Sequence, residues 1–244
     1  MRIPLRRLLP VNVAVLLPFL FPSGACAEVI VHDLVAVQGE KALIRVETRG
    51  KFFSRGGKVV ELFINDRAAG RILSGGDGFA FRQYTPGKTG IQRITARSGA
   101  DEASGLLLSL RKGTGIVFVE AEGGLLEGPF SKEPRKGSKE ALGELSRRFP
   151  VVFLSSGMTG TVPLKAWLKE KGFPALPVVP WDQGNVFEDA RRKGLVIRAV
   201  IGSPEIIESA GEYHPRAFSF TDAEGATQVK DWEELRKLLV SGGF

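Results

Sequence analysis

The chain has 244 residues, 43% hydrophobic and 25% charged, the proportions of a globular protein and not of a disordered or fibrous one. Its single cysteine, Cys26, excludes an intramolecular disulfide framework and a cysteine zinc cluster, and its two well-separated histidines, His32 and His214, argue against a histidine zinc site. The formal charge of +7 points to a nucleic-acid partner only until its distribution is read.

Residues 1–27 carry Arg2, Arg6 and Arg7, then the apolar run Val11 to Phe21, then Ala25-Cys26-Ala27. This is the charged start, short apolar core and small-residue cleavage site of an export signal. The core is too short to span a bilayer comfortably, so the mature chain is not expected to be transmembrane. Removing the segment takes away three arginines and no acid, and the charge falls from +7 to +4. A scattered excess of that size reads as solvated surface, and no nucleic-acid partner is expected. Cys26 also offers a lipoprotein attachment point, but Ser23 stands where such sites usually carry leucine. Either route takes the protein out of the cytoplasm, to the periplasm or beyond.

Residues 28–112 are written in short strands and turns. Val29 to Val31, Ala42 to Thr48, Val59 to Ile64, Ala69 to Leu73, Gly78 to Tyr84, Ile91 to Arg97 and Gly105 to Leu110 are the expected strands, with Asn65-Asp66-Arg67 as a polar hairpin turn. Phe79, Phe81 and Gln83 share one strand face and Ala80, Arg82 and Tyr84 the other, while Ile94 and Ala96 alternate with Arg93, Thr95 and Arg97. About seven strands at this spacing imply an antiparallel β-sandwich. Phe52 and Phe53 read as part of a buried strand, with an exposed binding pair as the other option.

The stretch Gly78 to Arg97, with Tyr84-Thr85-Pro86 leading to Gly90 and then Ile94-Thr95-Ala96, resembles the corner between two strands of bacterial immunoglobulin-like domains. Without a cysteine pair, such a sandwich would rest on apolar burial alone.

From residue 113 the pattern becomes strands alternating with helices, over residues 113–244. Ile116 to Val119, Val151 to Leu154, Pro177 to Val179, Ile197 to Ile201 and Ala217 to Phe220 are expected strands. Ser138 to Phe149, Pro163 to Lys171, a helix ending over Glu188 to Lys193, Pro204 to Gly211 and Asp231 to Val240 are expected helices. The alternation implies an α/β unit with a mostly parallel sheet, whose ligands would sit at the carboxyl ends of the strands.

At those ends stand Glu120 and Glu122 after the first strand, Ser155 and Ser156 after the second, and Gly202-Ser203-Pro204-Glu205 after the fourth. Two carboxylates, a hydroxyl and a helix start would surround one small polar pocket suited to a phosphoryl group. The same residues also serve plain structural roles: Ser203 as the N-cap and Pro204 as the first residue of a helix, and the serines satisfying backbone groups. His214 before Pro215 reads as structural, and Trp167, Trp181 and Trp232 are isolated and read as packing.

The order of these motifs resembles the haloacid dehalogenase-like superfamily, and within it the lipin-like and actin-patch-type phosphatidate phosphatases. That resemblance implies a Rossmannoid fold. In the family the first strand ends in two aspartates, a nucleophile and an acid/base, and Glu120 and Glu122 fall on those positions. Ser155 matches the phosphate-binding hydroxyl, with Ser156 and Ser203 beside it, and the stretch Phe153 to Val179 is similar to the phosphatase subgroup. The family's lysine would be one of Arg191, Arg192 and Lys193, with Lys193 taken as the ligand-binding candidate. The chain also departs from the family. Glutamate replaces the nucleophilic aspartate, moving the carboxylate by about 1.5 Å, a shift that can cost about a hundredfold in an in-line transfer. Gly202 is followed directly by Ser203 where a metal-binding aspartate is expected, leaving Glu205 or Glu208 as substitutes.

The sequence reading is therefore an exported two-domain protein whose phosphatase-like half is degenerate and non-catalytic, acting as a binding or envelope-associated module toward an unidentified protein or envelope ligand. No cofactor is expected. The alternative is an active phosphohydrolase on a phospholipid or small phosphoester, with Mg2+ held by Glu120 and Glu205. A third reading gives the β-sandwich alone an adhesive or polysaccharide-binding role, with the second half as a scaffold that folds without it.

Overall fold

Alternation of apolar and polar residues decides how the first part of the chain folds. In the computed structural model, which describes residues 29–50, 56–128, 131–157 and 160–241, eight strands form two stacked sheets. The first holds β1 (Val29–Val31), β3 (Ala42–Thr48) and β6 (Phe79–Tyr84), in the order β1-β3-β6. The second holds β2 (Leu34–Val37), β4 (Val59–Ile64), β5 (Arg67–Leu73), β7 (Gly90–Ser98) and β8 (Asp101–Leu110), in the order β2-β8-β7-β4-β5. Val31, Ile44, Val46, Val60, Leu62, Ile94, Ala96 and Leu107 point between the sheets and form their core. Each such side chain contributes about 2 kcal/mol by leaving water. The pairing is antiparallel except that β2 runs parallel to β8. β2 is not among the strands expected from the sequence, because Leu34-Val35-Ala36-Val37 lacks a polar alternation. The Asn65-Asp66 turn has φ of 48° and 65°, the paired left-handed conformation that joins twisted strands.

The export signal, with Cys26, and the Phe52-Phe53 pair lie outside the described residues.

The second part is a parallel sheet of β9 (Gly115–Glu120), β10 (Val151–Ser155), β11 (Val178–Pro180), β12 (Val196–Ile201), β13 (Arg216–Ser219) and the short β14 (Thr227–Gln228). The strand order is β11-β10-β9-β12-β13-β14. Among the described residues the α-helices that accompany it are α1 (Ser138–Arg148), α2 (Thr161–Glu170), α3 (Asn185–Arg192), α4 (Pro204–Ala210) and α5 (Trp232–Ser241). Successive residues of β9 serve opposite faces. Val117 and Val119 join α1, α2 and α5, while Ile116 and Phe118 join α3 and α4. The second face is not covered by helices alone: Val37 of β2 and Leu108 and Leu110 of β8 belong to the same apolar cluster. The sandwich thus forms part of the cover of the parallel sheet. Because the chain leaves β9 toward β10 on one side and returns to β12 on the other, a crevice opens between the carboxyl ends of β9 and β12. No helix among the described residues is long and apolar enough to cross a membrane.

Candidate functional site

Glu120 is the last residue of β9 and is 3% exposed. The chain then makes a π-helical turn over Ala121–Leu125, which carries Glu122 round to face the end of β10. One oxygen of Glu120 accepts the N–H of Ser203 at 2.6 Å, and the other accepts the hydroxyl of Ser156 at 2.5 Å. Glu122 accepts the N–H of Gly157 at 2.9 Å and that of Ser156 at 3.2 Å, with the Ser156 hydroxyl also 3.2 Å away. Two carboxylates therefore take up three backbone N–H groups and one hydroxyl at the mouth of the crevice. Charge-assisted bonds of this kind are the strong ones, and a buried carboxylate requires them.

Glycine makes the arrangement sterically feasible. A Cβ on Gly123 would lie 2.4 Å from Glu120 Oε2 and 2.7 Å from the Ser203 nitrogen; one on Gly157 would lie 2.6 Å from Glu122 Oε1; one on Gly202 would lie 2.8 Å from Glu120 Oε2. The sequence places a glycine soon after each of these three strand ends, Gly202 as part of a helix start, but its pattern alone assigns none of them this steric role.

The expected site residues divide clearly. Glu120, Glu122, Ser156 and Ser203 come together. Ser155 does not join them: it ends β10, is buried, and its hydroxyl has no hydrogen-bond partner. Ser203 does stand at the N-cap of α4 with Pro204 following, but its hydroxyl makes no capping bond, and it is its N–H that Glu120 holds. Glu205 is exposed in the first turn of α4. Lys193 is at the wrong end of the sheet. It precedes β12, whose first residue Val196 pairs with Gly115 at the start of β9, and its ammonium bonds Asp189 at 2.5 Å and the Val35 carbonyl at 2.8 Å. No group of three or more His, Cys, Asp or Glu side chains placed to hold a metal occurs among the described residues.

No family model matches the chain, and no curated protein matches it significantly. Solved structures that it resembles include a polysaccharide lyase (14% identity, TM-score 0.28, covering 35% of this chain and 12% of that one). Others are fibronectin(III)-like modules of Clostridium thermocellum CbhA (12%, 0.26, 34% and 97%) and a C-terminal fragment of intimin in complex with the intimin-binding domain of its translocated receptor (14%, 0.29, 35% and 33%). The chain thus spans about an eighth of the lyase. Likenesses this weak carry no argument about ligand or activity.

The haloacid dehalogenase-like resemblance is corrected by these findings. No family model, of that superfamily or any other, matches the chain, and the solved structures named above are a polysaccharide lyase, fibronectin(III)-like modules and intimin, each alike over only about a third of this chain. The residues agree with the correction. The carboxylates that the family pattern casts as nucleophile and acid/base are bound to the protein's own donors, the matched phosphate-binding serine is outside the cluster, and the matched lysine is at the opposite end of its strand.

Proposed function

We propose that the chain is an exported, non-catalytic binding module in which the acidic pair at the strand ends fastens β9, β10 and α4 together. The observation that carries this reading is that every oxygen of Glu120 and Glu122 accepts a bond from the protein's own donors. The N–H groups of Ser156, Gly157 and Ser203 that could hold an incoming anion already hold carboxylates. A phosphoryl group would first have to displace bonds that the fold supplies at no ordering cost. The division into an export signal over 1–27, a sandwich over 28–112 and an α/β part over 113–244 belongs to this proposal. The turn between β8 and β9, in which Thr114 N–H bonds the Arg111 carbonyl, supports the second boundary.

The surface best suited to a partner protein or envelope component is the outer face of β3 and β6. Leu43 and Phe81 are about half exposed there, Phe79 stacks on Phe81, and Arg45 lies over the Phe79 ring. Apolar side chains rimmed by charge on a solvent face mark interaction sites.

Magnesium chloride and a chromogenic phosphate monoester test the central claim. The expected result is no hydrolysis and no rise in melting temperature at millimolar Mg2+, since a cation bound to the native state would raise it. Mg2+-stimulated turnover that Glu120→Gln abolishes would overturn the proposal.

A further inference from the structure

Although Glu127 lines the same hollow, Arg135 makes no ion pair among the described residues. Its side chain is half-buried, its Nε is shielded from water without a hydrogen-bond partner, and its guanidinium lies 4.5 Å over the ring of Phe220. Burial pulls its pKa below the usual arginine value, and the field of Glu127 opposes this only in part. A sheltered, unpaired charge is expensive to fold, so its retention calls for a reason.

The surroundings supply one. Arg135 lines a hollow of about 370 Å3 together with Lys136, Lys230 and Phe220, with Glu127 and Asp231 in the same wall. One oxygen of Asp231 accepts the N–H of Glu234 at the start of α5. Among the described residues neither lysine has an acidic partner. The segment presenting Arg135 is held firmly: its N–H bonds the Leu125 carbonyl at 2.6 Å, Leu126 bridges to Pro134, Trp167 Nε1 bonds the Lys132 carbonyl at 2.8 Å, and Lys171 pairs with Glu133 at 2.9 Å. Phe220 is backed by Trp232, 5.8 Å away. The backbone that presents Arg135 is thus fixed and the guanidinium rests on the Phe220 ring before any ligand arrives, which cuts the ordering cost of binding.

We infer that this hollow binds the oxyanion end of a small ligand, a carboxylate or a phosphate monoester, with Arg135 as the planar fork and Lys136 and Lys230 flanking it. A guanidinium stacked on an aromatic ring keeps its edge free for two parallel hydrogen bonds, the geometry that recognises these groups. The site shares no residue with the Glu120 cluster, so the inference stands or falls apart from the proposed function.

Titration of the full chain with glucuronate, glucose 6-phosphate and glucose at constant ionic strength tests it and separates the two sources of charge. Saturable binding of either charged sugar, absent for glucose and weakened about tenfold or more by Arg135→Gln, is the expected result. That factor corresponds to one lost charge-assisted hydrogen bond. Binding of one sugar alone supports the inference and names the anion. Should Arg135→Gln fail to fold, the double variant Lys136→Gln/Lys230→Gln, whose side chains are exposed, takes its place with the same expectation. Failure of both charged sugars to bind, or binding that the folded variants leave unchanged, would overturn it.

Discussion

Lys165 of α2 places its ammonium 2.6 Å from the carboxylate of Asp33, a residue of the link between β1 and β2 whose side chain is almost wholly buried. The same carboxylate accepts the N–H of Leu106 on β8 at 2.7 Å and that of Val178 on β11 at 2.8 Å. One aspartate thus receives donors from the sandwich, from a helix and from the edge of the parallel sheet. Asp33→Ala strands two backbone N–H groups and leaves the ammonium with the Val31 carbonyl and solvent, and removing one member of such a set costs about 3 kcal/mol. Lys165→Met should cost less, because Lys165 is a quarter exposed and Asp33 retains its two N–H partners. Urea denaturation of the two variants measures the difference, and equal losses would show that the backbone bonds contribute nothing.

The acidic pair makes a prediction about length. Glu120→Asp restores the shorter side chain but draws the carboxylate back by about 1.5 Å, out of reach of the Ser203 N–H. It should lose about 1–2 kcal/mol of stability without gaining Mg2+-dependent hydrolysis. Denaturation together with a phosphoester assay on the same preparation decides this, and appearance of turnover would restore a catalytic role.

The glycines around that pair should differ in tolerance. Gly123→Ala drives its methyl group against the Ser203 backbone nitrogen as well as the Glu120 carboxylate, whereas Gly157→Ala meets only the end of the Glu122 side chain. Overpacking against backbone costs about 1–3 kcal/mol, and a side-chain tip can yield for less. The expected ranking in melting temperature is wild type, then Gly157→Ala, then Gly123→Ala.

His32 sets a pH dependence. Burial, helped by the nearby Arg45 charge, lowers its pKa from 6.5 to about 4; Glu47 opposes the shift, while Lys165 and Arg49 add to it. The imidazole is therefore neutral near pH 7, and its 3.6 Å approach to Glu47 is not an ion pair there. Because the unfolded chain takes up this proton near pH 6.5 and the folded one only near pH 4, the contribution is complete above pH 6.5 and is lost as pH falls toward 4. Its size is about 2 kcal/mol once partial solvent access is allowed for. Comparing wild type with His32→Gln across that window should give a shallower slope for the variant.

Much of the fold was legible because period and burial agree. Ile94 and Ala96, or Val117 and Val119, announce their faces by alternation alone, and the parallel sheet follows from strands separated by helices. The crevice between Glu120 and Ser203 was legible for the same reason, since topology places strand ends together. What the sequence concealed were relations across long separations. Nothing local marks Asp33 as the residue that accepts from Leu106 and Val178, nor tells that Glu122 turns back onto Gly157. Lys193 was misplaced by the motif order alone, since a residue that precedes a strand of a parallel sheet lies at the amino ends, opposite the crevice. The motif resemblance erred by matching residue types in order, while function depends on where their lone pairs point.

The shared core argues against independent folding of the second part. In an isolated 113–244 fragment, Ile116, Phe118 and Val152 would lose the cover of Val37, Leu108 and Leu110, and Val178 N–H and Lys165 would lose Asp33. Uncovering that apolar surface removes several kcal/mol, comparable with the whole stability of a domain this size. The reading in which removal of the sandwich leaves a folded scaffold predicts the opposite outcome. The fragment should bind a hydrophobic dye and melt without a sharp transition, as expected when secondary structure persists but packing is lost. The full chain should unfold in one step. A fragment with a cooperative transition at the full chain's melting temperature would show that the sandwich is an appendage and not part of the sheet's cover.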